Sequence, residues 1–305
     1  MAQLVKLQNY ISRYEKDIFH YPGQFSRMKK EKWNKTLNQW EEERFSYEQE
    51  VERIQHTEKT SKPKWRSLFT RKNMQEEAWP VENDKPGLPS TKEDLKHQFL
   101  DRLIAFQLKW ASSTVSQMSF LDRTFLHDLI LKFFLQRFPD TYLFMYEPVF
   151  TLKNSTMEGD VVLIKPQGIE IINLVENPSA DTIFVNEERM WEITIRGNKE
   201  RILSPMLSLR RTEQIIKSIL DLHHIDFPIQ KTVLSRTNSM LFEREPYRTR
   251  FIDKHRYDEW LQQHRQEVSP LKHKQLIVCD ALLNHCQTVA VRRREWEEDD
   301  GSQPL

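Results

Sequence analysis

Asp160-Val-Val-Leu-Ile-Lys-Pro-Gln-Gly-Ile-Glu-Ile-Ile-Asn-Leu-Val-Glu176 is the stretch on which the reading of the fold turns. An acid opens an apolar run, Pro166 and Gly168 break it, and a second apolar run follows. Runs of this length bounded by Pro and Gly read as buried strands. A connection this short joins antiparallel neighbours. Counting from the turn sets the register, so Asp160 is expected beside Asn173. Side chains alternate along a strand. Asn173 and Val175 therefore share a face with Ile169 and Ile171, while Glu170 and Glu176 point the other way. Lys165 is out of phase with Asp160, Val162 and Ile164.

Working outward, Ser119 is expected to begin a helix through Leu121, Phe125, Leu129, Phe133 and Phe138, stopped by Pro139. Strand-like runs cover 141–150, 182–185 and 190–195. Ser204-Pro205 opens a long helix from Met206 to about Leu222, with Pro in a position that needs no N–H partner. Residues 232–235 and 250–252 read as closing strands, and 256–264 and 270–286 as helices. Upstream, Ser90-Thr91-Lys-Glu-Asp94 has the cap and early acids of a helix start. Leu95, Phe99, Leu103, Phe106 and Trp110 then follow down one face.

This order of elements resembles the nuclease-related domain family, within the restriction-endonuclease-like superfamily. The resemblance covers roughly 119–260. It is carried by Glu158-Gly159-Asp160-Val-Val-Leu-Ile, the Gly168-Ile169 turn, Asn177, Trp191 and Ser204-Pro205-Met206-Leu207. It implies a mixed α/β fold, a restriction-endonuclease-like core with a central mixed sheet flanked by helices. It also implies a site in which an Asp and a Glu hold Mg²⁺ and a Lys two residues after the Glu orients the attacking water. Asp160 stands at the Asp position and is the implied metal ligand. Asn173 stands where the Glu belongs, Val175 where the Lys belongs, and Ser208 where a Gln is usual. The acid expected from the upstream helix is Asp128, with Asp122 as the alternative. A basic group from elsewhere, Lys199, Arg210 or Arg211, or a bulge turning Glu176 inward, are the routes by which a site of this kind would be rebuilt. The catalytic motif thus reads as degenerate. No cofactor is expected, and Mg²⁺ only if the protein is active.

The first 56 residues carry Leu4, Leu7, Ile11, Tyr14 and Ile18, then Tyr21-Pro22-Gly23, then Trp33, Leu37, Trp40, Tyr47, Val51 and Ile54. Spacings of three and four predict a helical hairpin over 1–56, with a coiled-coil-like seam broken once. Residues 57–90, rich in Pro, read as a linker. Inside it Lys62, Lys64, Arg66, Arg71 and Lys72 interleave with Trp65 and Phe69, a pattern suited to an anionic membrane surface or a nucleic-acid backbone. Residues 91–290 then form the main domain, and 291–305 a charged tail.

A net charge of +1 gives no global attraction to polyanions, so any such binding must be local. Only 6 Gly residues leave no Gly-rich phosphate loop. Cys279 and Cys286 are expected to remain reduced thiols in a cytoplasmic protein. No apolar run approaches the roughly 20 residues that span a bilayer. The resemblance, with the replaced motif residues, implies a catalytically degenerate nuclease-fold protein that binds nucleic acid, DNA or RNA, or a protein partner through its N-terminal helices. The alternatives are an active metal nuclease with a rearranged site, and a peripheral membrane or scaffold protein using the segment at 62–72.

Overall fold

The computed structural model describes residues 1–56 and 89–293. In chain order the elements are β1 (Gln3–Leu7), α1 (Tyr21–His56), α2 (Lys92–Trp110), β2 (Gln117–Met118), α3 (Leu129–Arg137), β3 (Leu143–Tyr146), β4 (Val149–Thr151), β5 (Thr156–Glu158), β6 (Val161–Lys165) and β7 (Gly168–Leu174). There follow β8 (Ala180–Phe184), β9 (Met190–Ile195), β10 (Asn198–Leu203), α4 (Met206–Leu222), β11 (Ile229–Leu234), β12 (Ser239–Leu241), β13 (Thr249–Ile252), α5 (Tyr257–Arg265), α6 (His273–Leu283) and β14 (Val291–Arg292). The fold is mixed α/β around a central mixed sheet. By contacts the chain divides into one unit of Met1–Gln24 with Gln107–Leu305, and another of Phe25–Phe106.

The central sheet has six strands in the order β1-β3-β6-β7-β11-β13. The quoted stretch supplies its middle: β6 and β7 pair antiparallel, Val161 opposite Ile172 and Lys165 opposite Gly168. β11 joins β7 in parallel, Val233 beside Asn173 and Lys231 beside Ile171. The helix α4 covers one face because Leu209, Thr212, Ile216, Ile219 and Leu220 recur at helical spacing and are buried, while Arg210, Arg211 and Lys217 are exposed. Each buried Leu or Ile contributes about 1.5–3 kcal/mol.

Side chains close both edges of this sheet. At β1, Gln107 accepts from the Leu4 N–H (2.6 Å) and donates to the Ala2 carbonyl (2.9 Å). At β13, Glu245 accepts from the Phe251 N–H (2.9 Å) while Arg256 donates to the Phe251 carbonyl (2.7 Å) and pairs with Glu245. A donor and an acceptor thus stand where another strand would pair, which shields the edge from further strand addition.

A second sheet has four strands, β10-β9-β8-β12. The β9–β10 hairpin turns at Arg196 (φ 49°) and Gly197 (φ 82°), two consecutive positive-φ residues that suit the twist of a tight hairpin. Trp191, Ile193, Ile183 and Met240 form its buried face. β10 was not apparent in the sequence because Asn198-Lys-Glu-Arg-Ile-Leu203 is polar at an edge and shows no apolar alternation.

Several expectations are corrected. Residues 3–7 form a strand, so a helical hairpin over 1–56 is not what forms. All five are buried, which removes the alternation that marks a half-buried strand and leaves a spacing that mimics a helix. Tyr21-Pro22-Gly23 starts α1 rather than breaking it, since Pro is tolerated in a first helical turn. Within the Phe25–Phe106 unit, α1 runs antiparallel to α2. Phe25 stacks on Phe106, Trp33 meets Phe99 at 5.2 Å, and Trp40 Nε1 donates to the Pro89 carbonyl. The helix expected from Ser119 begins only at Leu129. The expected strand at 141–150 splits at Glu147 and Pro148. The segment at 62–72, with Lys62, Lys64, Trp65, Arg66, Phe69, Arg71 and Lys72, lies outside the described residues, as does 294–305.

Candidate functional site

Gly159 brings the site together. Its N–H donates to the Pro148 carbonyl, and a side chain there would meet Phe150 at 2.9 Å. Asp160 follows, 7% exposed, at the mouth of β6. As the register requires, Asn173 stands opposite, and its Nδ2 donates to Asp160 Oδ1 at 2.7 Å. The helix α4 presents Ser208 and Thr212, one turn apart, to the same carboxylate. The Ser208 hydroxyl lies 2.9 Å from Oδ1 and 3.0 Å from Oδ2. Thr212 Oγ1 donates to Oδ2 at 2.8 Å and accepts from the Asp160 N–H at 3.1 Å. The carboxylate is therefore surrounded by neutral donors, and it ties α4 to the β6–β7 pair.

This donor set does not fit a divalent cation. Mg²⁺ takes carboxylate and other oxygens in a nearly octahedral shell. Here both Asp160 oxygens already accept hydrogen bonds, and Asn173 directs its amide nitrogen, not its oxygen, at them. Val175 continues the backbone ladder, its N–H donating to the Leu234 carbonyl, and its side chain brings no charge. Among the described residues no group of three or more His, Cys, Asp or Glu is placed to hold a metal.

Asp128 is a helix cap. Its Oδ1 accepts from the N–H groups of Ile130 and Leu131, and its Oδ2 from the Tyr146 hydroxyl at 2.8 Å. Asp122 caps the preceding turn through Thr124. Glu176 does not turn toward Asp160: it holds Arg236 with bonds of 2.6 and 2.8 Å. Lys199 pairs with Glu192 in the second sheet, Arg210 is exposed, and Arg211 bonds back to the Leu207 carbonyl. The buried basic group on the α4 face of the sheet is Lys231, which pairs with Glu213 of α4 at 2.5 Å. A lysine inside an apolar strand was the available signal for it.

Glu147 is the acid that sequence reasoning missed. It sits at positive φ (48°), half-buried, at the break between β3 and β4. Burial raises its pKa. A hydrogen bond from Gln8 (3.2 Å) partly offsets this, and the charges of Glu158, Asp128 and Asp160 raise it further. Pro148 directly after it, inside an expected strand, was the available signal in the sequence.

The fold and these residues define a mixed α/β protein with a carboxylate knotted into its central sheet and a second, half-buried carboxyl, Glu147, whose pKa is raised. No protein-family model matches the chain, and no solved structure matches it. Over 116 residues it is 34% identical to a protein of Geobacillus stearothermophilus named RNA 2′,3′-cyclic phosphodiesterase. The shared stretch covers 35% of this chain and 36% of that relative, so the chain spans about a third of the relative's length.

Proposed function

We propose that the protein binds nucleic acid, RNA foremost, on a nuclease-related scaffold whose catalytic pocket has become a structural joint. The observation that carries this reading is the Asp160 carboxylate, whose hydrogen-bond partners Asn173, Ser208 and Thr212 are all neutral side chains. Hydrolysis of a phosphodiester needs charge stabilisation as the transition state forms, and loss of one such group typically costs a few kcal/mol. Here the acid at 173 and the base at 175 are both replaced. The partial likeness to a protein named for RNA chemistry favours RNA as the ligand class.

The test pairs fluorescently labelled single-stranded RNA and DNA with the purified protein in Mg²⁺ or Mn²⁺. Binding without shortening of the oligonucleotide is expected, and Asp160→Asn is expected to bind as the wild type does. Cleavage lost in Asp160→Asn would refute the reading.

The relative's name favours a second reading, hydrolysis of a terminal 2′,3′-cyclic phosphate. In that case Glu147, with its raised pKa, is the residue suited to proton transfer. Phosphorus NMR of a 2′,3′-cyclic nucleotide incubated with the protein decides it. Turnover abolished by Glu147→Gln supports this reading, and an unchanged spectrum excludes it.

A further inference from the structure

The second sheet has one buried face and one open face. On the open face, strand pairing lines up two cross-strand rows. Lys199, Thr194, Thr182 and Ser239 form the first, and Arg201, Glu192, Phe184 and Leu241 the second. The central members are partly exposed, and the Lys199 side chain is 70% exposed. Lys199 Nζ lies 5.7 Å from the Phe184 ring centroid and 3.2 Å from a Glu192 oxygen, an exposed pair that can open, and with Arg201 the two rows keep a net positive charge. The first row ends at His255, whose Nε2 is 3.1 Å from Ser239 Oγ. Arg196, at the tip of the hairpin, adds a cation beside Lys199.

We propose that this face is a platform for single-stranded nucleic acid. A base stacks on Phe184, Lys199 and Arg201 contact phosphates, and the hydroxyls of Thr194, Thr182 and Ser239 meet sugar or phosphate oxygens. The inference rests on the nucleic-acid-binding reading and places that activity away from Asp160. Flat sheet faces that combine a ring with flanking cations suit unpaired strands, because every base has a stacking face and the backbone carries the charge. Strands about 4.8 Å apart spread the row from Lys199 to Ser239 over roughly 14 Å, enough to order an extended strand across the sheet.

The experiment measures anisotropy of a labelled oligouridine and its DNA counterpart against the full chain over a salt series. Phe184→Ala is expected to weaken binding roughly tenfold or more, and Phe184→Trp to restore it. The pair Lys199→Gln with Arg201→Gln is expected to flatten the salt slope by about 1.4, the value for two single-strand phosphate contacts. Lys217→Gln, on the exposed side of α4, should leave binding unchanged. If the wild type binds and all these variants bind equally, the platform is wrong and the binding reading stands. If the wild type binds neither oligonucleotide, both fall. Self-association lost in Phe184→Ala while RNA binding persists would also overturn the platform.

Discussion

Two buried carboxylates on opposite faces of the central sheet, Asp160 before β6 and Glu170 on β7, show how a residue's partners decide its role. Asp160 accepts only from neutral groups. Removing it in Asp160→Ala leaves the donors of Asn173, Ser208 and Thr212 short of an acceptor. We expect a loss of roughly 3 kcal/mol in urea unfolding, the scale of hydrogen bonds to a charged group. Glu170, on the other face, is 2% exposed and has partners of both kinds. Lys165 (2.7 Å) and His264 (3.3 Å) meet one oxygen, and Thr232 (2.6 Å) and Trp260 (3.2 Å) the other. Burial alone would raise its pKa. The Lys165 charge, then the His264 contact, outweigh that and hold it well below the usual carboxylate range. A folded pKa below the unfolded value of about 4.3 adds stability that is present above that value. It is lost as pH falls through the folded pKa. Acid unfolding followed by tryptophan fluorescence should therefore show a steeper loss below about pH 4 in the wild type than in Glu170→Gln. At neutral pH, Glu170→Ala should cost about 3–5 kcal/mol, because it strands Lys165 without its buried partner.

At the scale of elements, the sheet edges carry the next prediction. Gln107 completes the outer side of β1 through paired bonds to Ala2 and Leu4. Gln107→Leu keeps the volume and removes both bonds, leaving two buried backbone groups unpaired. A loss of about 2–4 kcal/mol is expected, at 1–3 per orphaned group less the apolar gain. Glu245→Ala should expose the β13 edge instead. Its signature is faster hydrogen exchange at the Phe251 amide with little change in global stability, and equal exchange would argue against the role given to Glu245. Element type was readable where the local pattern was strong. The expected helix from Met206 to Leu222, with Ser204-Pro205 before it, forms with those bounds, and the run at 190–195 is β9. It was unreadable where tertiary burial erased the pattern, as in β1, or where a polar edge had none, as in β10.

Across the whole molecule, segments far apart in the sequence close one unit. Lys6 is completely buried on β1, and its ammonium bonds the Tyr10 carbonyl, Glu15 (2.5 Å) and Thr288 (2.9 Å). Thr288 also meets Glu15 at 3.1 Å. This cluster joins the first strand to the segment after α6. Nearby, burial pushes the Cys286 thiol up to about 12, with the Lys6 charge lowering and the Glu15 charge raising it. A thiol so placed should react slowly with a maleimide at pH 7 until the fold opens. Lys6→Met is expected to cost about 3–5 kcal/mol, since it leaves Glu15 without its buried cation. A chain beginning at residue 90 should show no cooperative unfolding transition, because it lacks β1 and the Lys6 tie. A normal transition in that chain would mean the edge strand is dispensable.

The sequence by itself determined the β6–β7 pair, its register, and hence the meeting of Asp160 with Asn173. These follow from alternation and one short turn, which are local. It also located α4, whose apolar spacing and leading Pro are local as well. Only the tertiary structure decided that Ser208 and Thr212 would close on Asp160. The same holds for Glu147 being held among acids, Lys231 rather than Lys199 lying on the α4 face, and residues 3–7 becoming a sheet edge. Each depends on which distant segments share a face. Packing of whole elements sets that choice, and no spacing along the chain encodes it.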